Sequence, residues 1–363
     1  MTVSTKVPKL FQPLKVGRMD LQHRVVLAPL TRVRNHANHV PGPELTTYYA
    51  QRGSTPGTLL VSEATYVAPQ AKGTPFAPGI WNEEQKEGWK HITDAVHAKG
   101  SFIYLQLWAQ GRTAHPQDLA STGHDLVAPS AIPCVDMTGQ LSAVPRALTI
   151  PEIKEYIRLY GIAAQNAIEA GFDGVEIHGA NGYLPDQFLQ DVSNTRTDEY
   201  GGSIENRAKF VLEVVDSITE KVGADRTAIR LSPWGRFQSM GMEDPVPTFS
   251  YLASQLAARE LSYLHVIEPR ADESTQVSGT NDFVRKIWGD RPYIAAGGNT
   301  RDIALQEAEE KGGMFAFGRH YISNPDLPRR LKENIPLTPY DRSKFYMMGS
   351  HTPEGYTDYP FTQ

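Results

Sequence analysis

Three polar side chains follow one another after the apolar run 173–178 (DGVEIH): His178, Asn181 and Tyr183, in the order His-Gly-Ala-Asn-Gly-Tyr. If that run is a buried strand, all three project from one short loop. His178 and Asn181 can then donate hydrogen bonds to one carbonyl or nitro oxygen, stabilising the negative charge that grows as a conjugated system is reduced. Tyr183, protonated at neutral pH, can deliver a proton to carbon. A lone histidine beside an Asn-Gly turn is more simply structural. Three donors at one mouth form a set able to act on one small molecule.

A second group points to a phosphate. The run 292–298 (PYIAAGG) is followed by Asn299, and 313–319 ends in Gly318-Arg319, with Ser323-Asn324-Pro325-Asp326 behind it. Glycines such as Gly298 and Gly318 let backbone N–H groups approach a phosphate closely, and Arg319 offers a two-pronged clamp. The alternative is a pair of ordinary barrel-closing glycines and a surface arginine. Arg230 stands inside the apolar stretch AIRLSP. A buried guanidinium cannot discard its charge, so it needs an anion, either a reduced flavin ring or a carboxylate such as Glu63 or Glu176. Thr31 and Gln106 can hydrogen-bond a ring edge, although Thr31 serves equally as a helix cap. Trp108 is either a pocket wall or core.

These residues need elements that bring them together. Eight short runs rich in Val, Ile and Leu cover 24–30, 58–66, 101–108, 173–178, 227–233, 262–269, 292–298 and 313–319. Between them lie segments of helical spacing, such as 151–170, opened by Pro151-Glu152, and 203–222, opened by Ser203. This alternation predicts an α/β protein, and eight repeats predict a closed (β/α)8 TIM barrel. A doubly wound open sheet would carry a Gly-rich turn after its first strand, which Ala28-Pro29-Leu30 is not. In a barrel the strand ends Thr31, Glu63, Gln106, His178, Arg230, Glu268 and Asn299 share the face where active sites are built. The irregular stretch 109–150 and the tail 338–363 are predicted to lie over that face, and residues 1–363 read as one domain.

Composition narrows the function. Forty per cent hydrophobic and 21% charged residues predict a globular chain, and a net charge of −5 without a basic block excludes nucleic acid as a partner. A single cysteine, Cys134, excludes an internal disulfide, a cysteine zinc site and an iron–sulfur cluster, and no metal is expected. No run approaches the ~18 apolar residues that would span a bilayer. The chain is therefore expected to have no membrane partner and to be cytoplasmic, as a monomer or homodimer.

With those residues assembled, the chain resembles the old yellow enzyme family of flavin oxidoreductases from about Leu10 to Tyr359. The likeness runs through RVVLAPLTRVRN at 24–35, YLQLWAQGR at 104–112, GFDGVEIHGANGYLPDQFL at 171–189 and RTDEYGGSIENR at 196–207. It continues through RLSP at 230–233, FGRHYISNPDL at 317–327 and GYTDYP at 355–360. The resemblance implies an NADPH dehydrogenase or ene-reductase with non-covalent FMN. Pro29, Leu30, Thr31, Ala64, Gln106 and Arg230 would surround the flavin ring, and Gly298, Asn299, Gly318 and Arg319 the phosphate. His178 and Asn181 match the family's carbonyl-binding pair, Tyr183 its proton donor, Trp108 a pocket wall and Tyr356 an aromatic that roofs the substrate. The implied reaction is ping-pong: NADPH gives hydride to the flavin, and N5 passes it to an activated alkene, an α,β-unsaturated aldehyde, ketone or nitroalkene. Thr31 stands where one branch of the family carries a cysteine, and Ala109-Gln110 departs from the usual pattern of the adjoining wall. The chain is also similar to fungal reductases of ergot-alkaloid pathways, some of which lack the tyrosine and act as isomerases. That similarity gives the alternative of a pathway-specific reductase or isomerase acting on one enal, and Tyr183 argues for net reduction.

Overall fold

Val, Ile and Leu on both faces of a short strand demand cover on both sides, and a barrel ringed by helices supplies it. The computed structural model describes residues 7–136, 139–269 and 279–362. Among these residues the eight expected runs form β1 (Val25–Leu27), β2 (Leu59–Tyr66), β3 (Phe102–Trp108), β4 (Gly174–Gly179), β5 (Thr227–Leu231), β6 (Tyr263–Ile267), β7 (Tyr293–Ala296) and β8 (Met314–Phe317). Each pairs in parallel with its neighbour, and β8 returns to β1 with Phe315, Ala316 and Phe317 opposite Val25, Val26 and Leu27. The α/β fold is thus a closed TIM barrel.

The two-residue period of a strand divides its side chains between two cores. Val26, Leu59, Val61, Tyr104, Ile294 and Met314 pack inside the barrel. Val25, Leu27, Leu60, Ile103 and Leu105 pack outward. An antiparallel ribbon, Leu14–Val16 with Met19–Leu21, places Val16, Met19 and Leu21 in the inner cluster.

The outer layer contains α1 (Pro43–Arg52), α2 (Glu83–His97), α3 (Ile150–Glu169), α4 (Ile204–Val222), α5 (Val246–Ala257), α6 (Asp282–Trp288), α7 (Arg301–Lys311) and α8 (Leu327–Glu333). One such helix follows each strand. Helix α4 starts where expected, because the Ser203 side chain accepts from the Asn206 N–H. Helix α3 starts one residue before Pro151, because Thr149 and Glu152 form a reciprocal capping box.

Two appended segments complete the mouth. The stretch between β3 and α3 contains a short helix, Pro116–Ala120, and a two-stranded parallel ribbon, Val127–Ala128 with Arg146–Ala147. It docks through Arg112, whose guanidinium donates to the Gln238 and Ser239 carbonyls, both at 3.1 Å, in the loop after β5. The tail returns to the loop after β1. There Arg32 donates to the Phe345 and Gly355 carbonyls at 3.1 and 2.9 Å, and Arg34 to those of Thr352 and Glu354 at 2.8 and 2.7 Å. Among the described residues no helix is long and apolar enough to cross a membrane.

Candidate active site at the barrel mouth

Parallel register fixes which side chains meet. His178 on β4 lies opposite Arg230 on β5, and Arg230 lies opposite His265 on β6, so the three share one level of the barrel. One level below, Glu176 is fully buried and accepts from Gln106 Nε2 at 2.8 Å, the Tyr263 hydroxyl at 3.0 Å and His265 Nδ1 at 2.8 Å. Burial opposes ionisation of Glu176, yet His265, Arg230 and these donors hold its carboxyl below the ordinary value. Arg230 makes no ion pair with Glu176 or Glu63 among the described residues, and its buried Nε has no partner. The geometry leaves a guanidinium nitrogen for an external acceptor.

Burial, reinforced by the positive charges of Arg230 and His265, pushes His178 well below the usual histidine range. The ring is neutral at physiological pH, and its buried Nδ1 has no hydrogen-bond partner among the described residues. Asn181 adopts left-handed backbone geometry at φ 59°. Its N–H donates to Ser232 Oγ at 2.9 Å and its carbonyl accepts from Gln238 Nε2 at 3.0 Å. The main chain is pinned on both sides, while the side-chain amide has no protein partner among the described residues.

Gly182 follows at φ 80°, where a Cβ would meet Met240 Cγ at 2.9 Å; only glycine turns the chain here without a clash. That turn sets Tyr183 edge-on to Trp108 at 5.1 Å and to His178 at 4.6 Å. Trp108 stacks flat on Tyr66 at 4.6 Å and is 2% exposed, so it is a support behind Tyr183. Burial pushes the Tyr183 hydroxyl up to about 12.

Beside this trio runs a cleft of about 900 Å³, within the range of small-molecule sites. Pro29, Leu30, Arg230, Gly298, Asn299, Gly318 and Arg319 all line it. Thr31, Ala64 and Gln106 do not. Thr31 is half-buried in the loop after β1, Ala64 is buried on β2, and the Gln106 amide nitrogen is engaged by Glu176. Asn299 is buried with its amide donating to the Ala295 and Ala316 carbonyls at 2.9 and 2.8 Å, which ties the ends of β7 and β8. The side chain braces the turn, which sets Gly298, at φ 64°, and the exposed Arg319 in the cleft wall. A half-buried Arg230 whose Nε has no partner among the described residues at one end, and a glycine turn beside the exposed Arg319 at the other, fit FMN.

Two sequence expectations change. Tyr356 does not roof the pocket: it is fully buried, stacked 4.3 Å from Tyr48 of α1, with Arg32 and Arg34 over its ring at 4.9 and 4.6 Å. Of the tail tyrosines, Tyr340 lines the cleft, and Tyr346, 58% exposed, stands near enough to Tyr183 to add to the rise that burial gives its hydroxyl. Its aromatic character was the available signal, but no periodicity says which tail tyrosine faces outward. Glu63 is no strand end, since β2 continues to Tyr66 past an irregularity in its pairing with β3. Its carboxyl accepts from the Arg32 N–H at 3.2 Å and is pushed up to about 7 by burial. Glu268 lies in the cleft wall, but Asn281, Tyr293 and Arg285 hold it at 2.9, 3.2 and 3.4 Å.

Comparison with known proteins is consistent across sequence and structure. A family model described as NADH:flavin oxidoreductase / NADH oxidase matches residues 9–338. A chanoclavine-I aldehyde reductase of Penicillium roqueforti is 51% identical, over 98% of this chain and 96% of its own. An NADP-dependent oxidoreductase of Aspergillus flavus is 49% identical with the same coverage. The solved structure of morphinone reductase superposes with a TM-score of 0.90 at 41% identity, covering 99% of this chain and 98% of its own. That enzyme has also been solved in complex with tetrahydroNAD.

Proposed function

The chain belongs to the NADH:flavin oxidoreductase / NADH oxidase family, as an NAD(P)H-dependent oxidoreductase of the old yellow enzyme type, and on that premise we propose that it is an NADPH-consuming ene-reductase. Its substrates are α,β-unsaturated aldehydes, ketones or nitroalkenes, and residues 1–363 act as one FMN-binding barrel. The observation that carries this reading is the pairing of a neutral, buried His178 with an Asn181, the His178 Nδ1 and the Asn181 side-chain amide both having no partner among the described residues. FMN, when bound, supplies the hydride.

The residues of the chain do the rest. Arg230, Pro29 and Leu30 hold the ring end, with Thr31, Ala64 and Gln106 close behind them, while Gly298, Gly318 and Arg319 hold the phosphate. His178 and Asn181 bind the oxygen of the activating group. Because His178 is neutral, it polarises that oxygen without surrendering a proton, and stabilisation grows with the charge there. Tyr183, kept protonated by burial, gives a proton to the α-carbon. Trp108 fixes its ring, and the shared burial excludes water that would weaken these hydrogen bonds.

The name of the Penicillium relative supports an enal within this class. A second reading is an enzyme dedicated to one enal that cycles as an isomerase without net NADPH consumption. Counting NADPH per product separates the two, and Tyr183 favours net reduction. The test of the main reading is anaerobic: NADPH should bleach the visible flavin band of the purified holoenzyme and an enal should restore it. A colourless protein that takes up no FMN sinks the proposal.

A further inference from the structure

The cleft carries a second set of side chains beyond those that suit the flavin. Arg236 and Phe237, from the loop after β5, and Arg342, from the tail, all line it. Arg236 and Arg342 are exposed, and neither guanidinium has a hydrogen-bond or acidic partner among the described residues. Phe237 is 45% exposed, so its ring presents an apolar face in the cleft wall. The only carboxylate among the described lining residues is Glu268, and it is already held. One flavin phosphate, with a charge near −2, has Arg319 and the Gly298 turn to meet it; Arg236 and Arg342 are a surplus.

The presentation of this wall is built rather than incidental. Gln238 and Ser239, immediately after Phe237, both adopt left-handed backbone geometry, φ 57° and 58°, which non-glycine residues avoid. Such strain persists only where the surroundings over-determine it, and it clusters at ligand sites. Here Arg112 donates to both carbonyls at 3.1 Å, Ser239 Oγ accepts from the Val135 N–H at 2.8 Å, and Gln238 Nε2 reaches the Asn181 carbonyl at 3.0 Å. The loop that turns Phe237 and Arg236 into the cleft is thus the one that braces Asn181.

We infer that Arg236, Phe237 and Arg342 form a second anionic subsite, for the adenosine 2′-phosphate end of NADPH, and that this subsite sets the preference for NADPH over NADH. The inference rests on the hydride-donor part of the reading above. The phenyl ring stacks on the adenine, and the two guanidinium groups clamp a phosphate by charge-assisted, two-pronged hydrogen bonds. NADH has no group for the pair to hold at that position.

Calorimetric titration of the FMN-loaded enzyme with adenosine 2′,5′-bisphosphate and with adenosine 5′-monophosphate tests it directly. The bisphosphate should bind at least about tenfold more tightly, and Arg236→Gln or Arg342→Gln should each remove about that factor while FMN content is retained. Phe237→Ala should weaken both ligands. In parallel, Arg236→Gln should raise the KM for NADPH about tenfold and leave that for NADH in place. Equal affinity for the two adenosine ligands, or variants that weaken NADPH and NADH alike, would overturn the assignment. If neither dinucleotide reduces the flavin, the hydride-donor reading falls, and the bisphosphate titration still decides whether the subsite exists.

Discussion

The two ends of the barrel mouth use opposite electrostatic means. At the β4 end, His178 is 4% exposed and neutral, and Tyr183 keeps its proton up to about 12. At the β7–β8 end, Arg319 is exposed and carries its charge into the cleft beside an open glycine turn. The difference follows from where charge comes from. A substrate oxygen acquires charge only during reaction, so donors that are dry and neutral stabilise it most and cost least beforehand. A phosphate arrives already charged, so a cation that stays exposed to water meets it at a smaller desolvation cost than a buried one would.

The sharpest way to break this contrast is Tyr183→Phe. Enal reduction should slow by roughly 10²–10⁴-fold, the range for losing a positioned acid, while NADPH still bleaches the flavin. Rapid-mixing measurements of the two half-reactions check it, and equal loss in both would remove Tyr183 from the proton-donor role. Arg319→Gln should have a smaller effect, at the other end: FMN retention should weaken about tenfold or more, with a shallower dependence on salt than in the parent. Flavin released on dialysis at rising salt measures this, and unchanged retention would leave Arg319 a solvent residue. The smallest effect is expected from pH. Tyr183 is raised, so its donor form persists as pH climbs from neutral towards about 12; His178 is lowered, so its neutral form persists as pH falls through 6.5. The enal half-reaction should therefore be nearly flat across neutrality. An ionisation limb near 6.5 would show that His178 is not shielded as described.

How much of this was legible in the sequence depended on periodicity. Seven of the eight strands lay within the apolar runs, and β4 ran one residue past its run to Gly179, because fully buried strands have no polar face to blur them. The caps at Ser203 and Thr149 obeyed local chemistry, although the capping box moved the start of α3 by one residue. The trio after β4 was visible because its members lie within six positions of one another. Tyr356 was misplaced for the converse reason: the tail is fixed by Arg32, Arg34 and Arg52, contacts more than 300 positions away in sequence. Asn299 lines the cleft, and the two carbonyls that hold its side-chain amide are brought together only by barrel closure, which no local pattern announces.

By itself the sequence determined the barrel, the grouping of His178, Asn181 and Tyr183 at the end of β4 and in the turn after it, and the glycine–arginine pair that suits a phosphate. These depend on short-range patterns, on strand burial and on turn geometry. Only the tertiary structure decided which charges are shielded and which are left over. It buried His178, with Arg230 and His265 level with it, and so holds that ring neutral; it buried Tyr356 and exposed Tyr346, and it left Arg236 and Arg342 facing one cleft without partners among the described residues. The physical reason is that burial and pairing are properties of neighbours, and in a closed barrel the neighbours of a strand end come from every part of the chain.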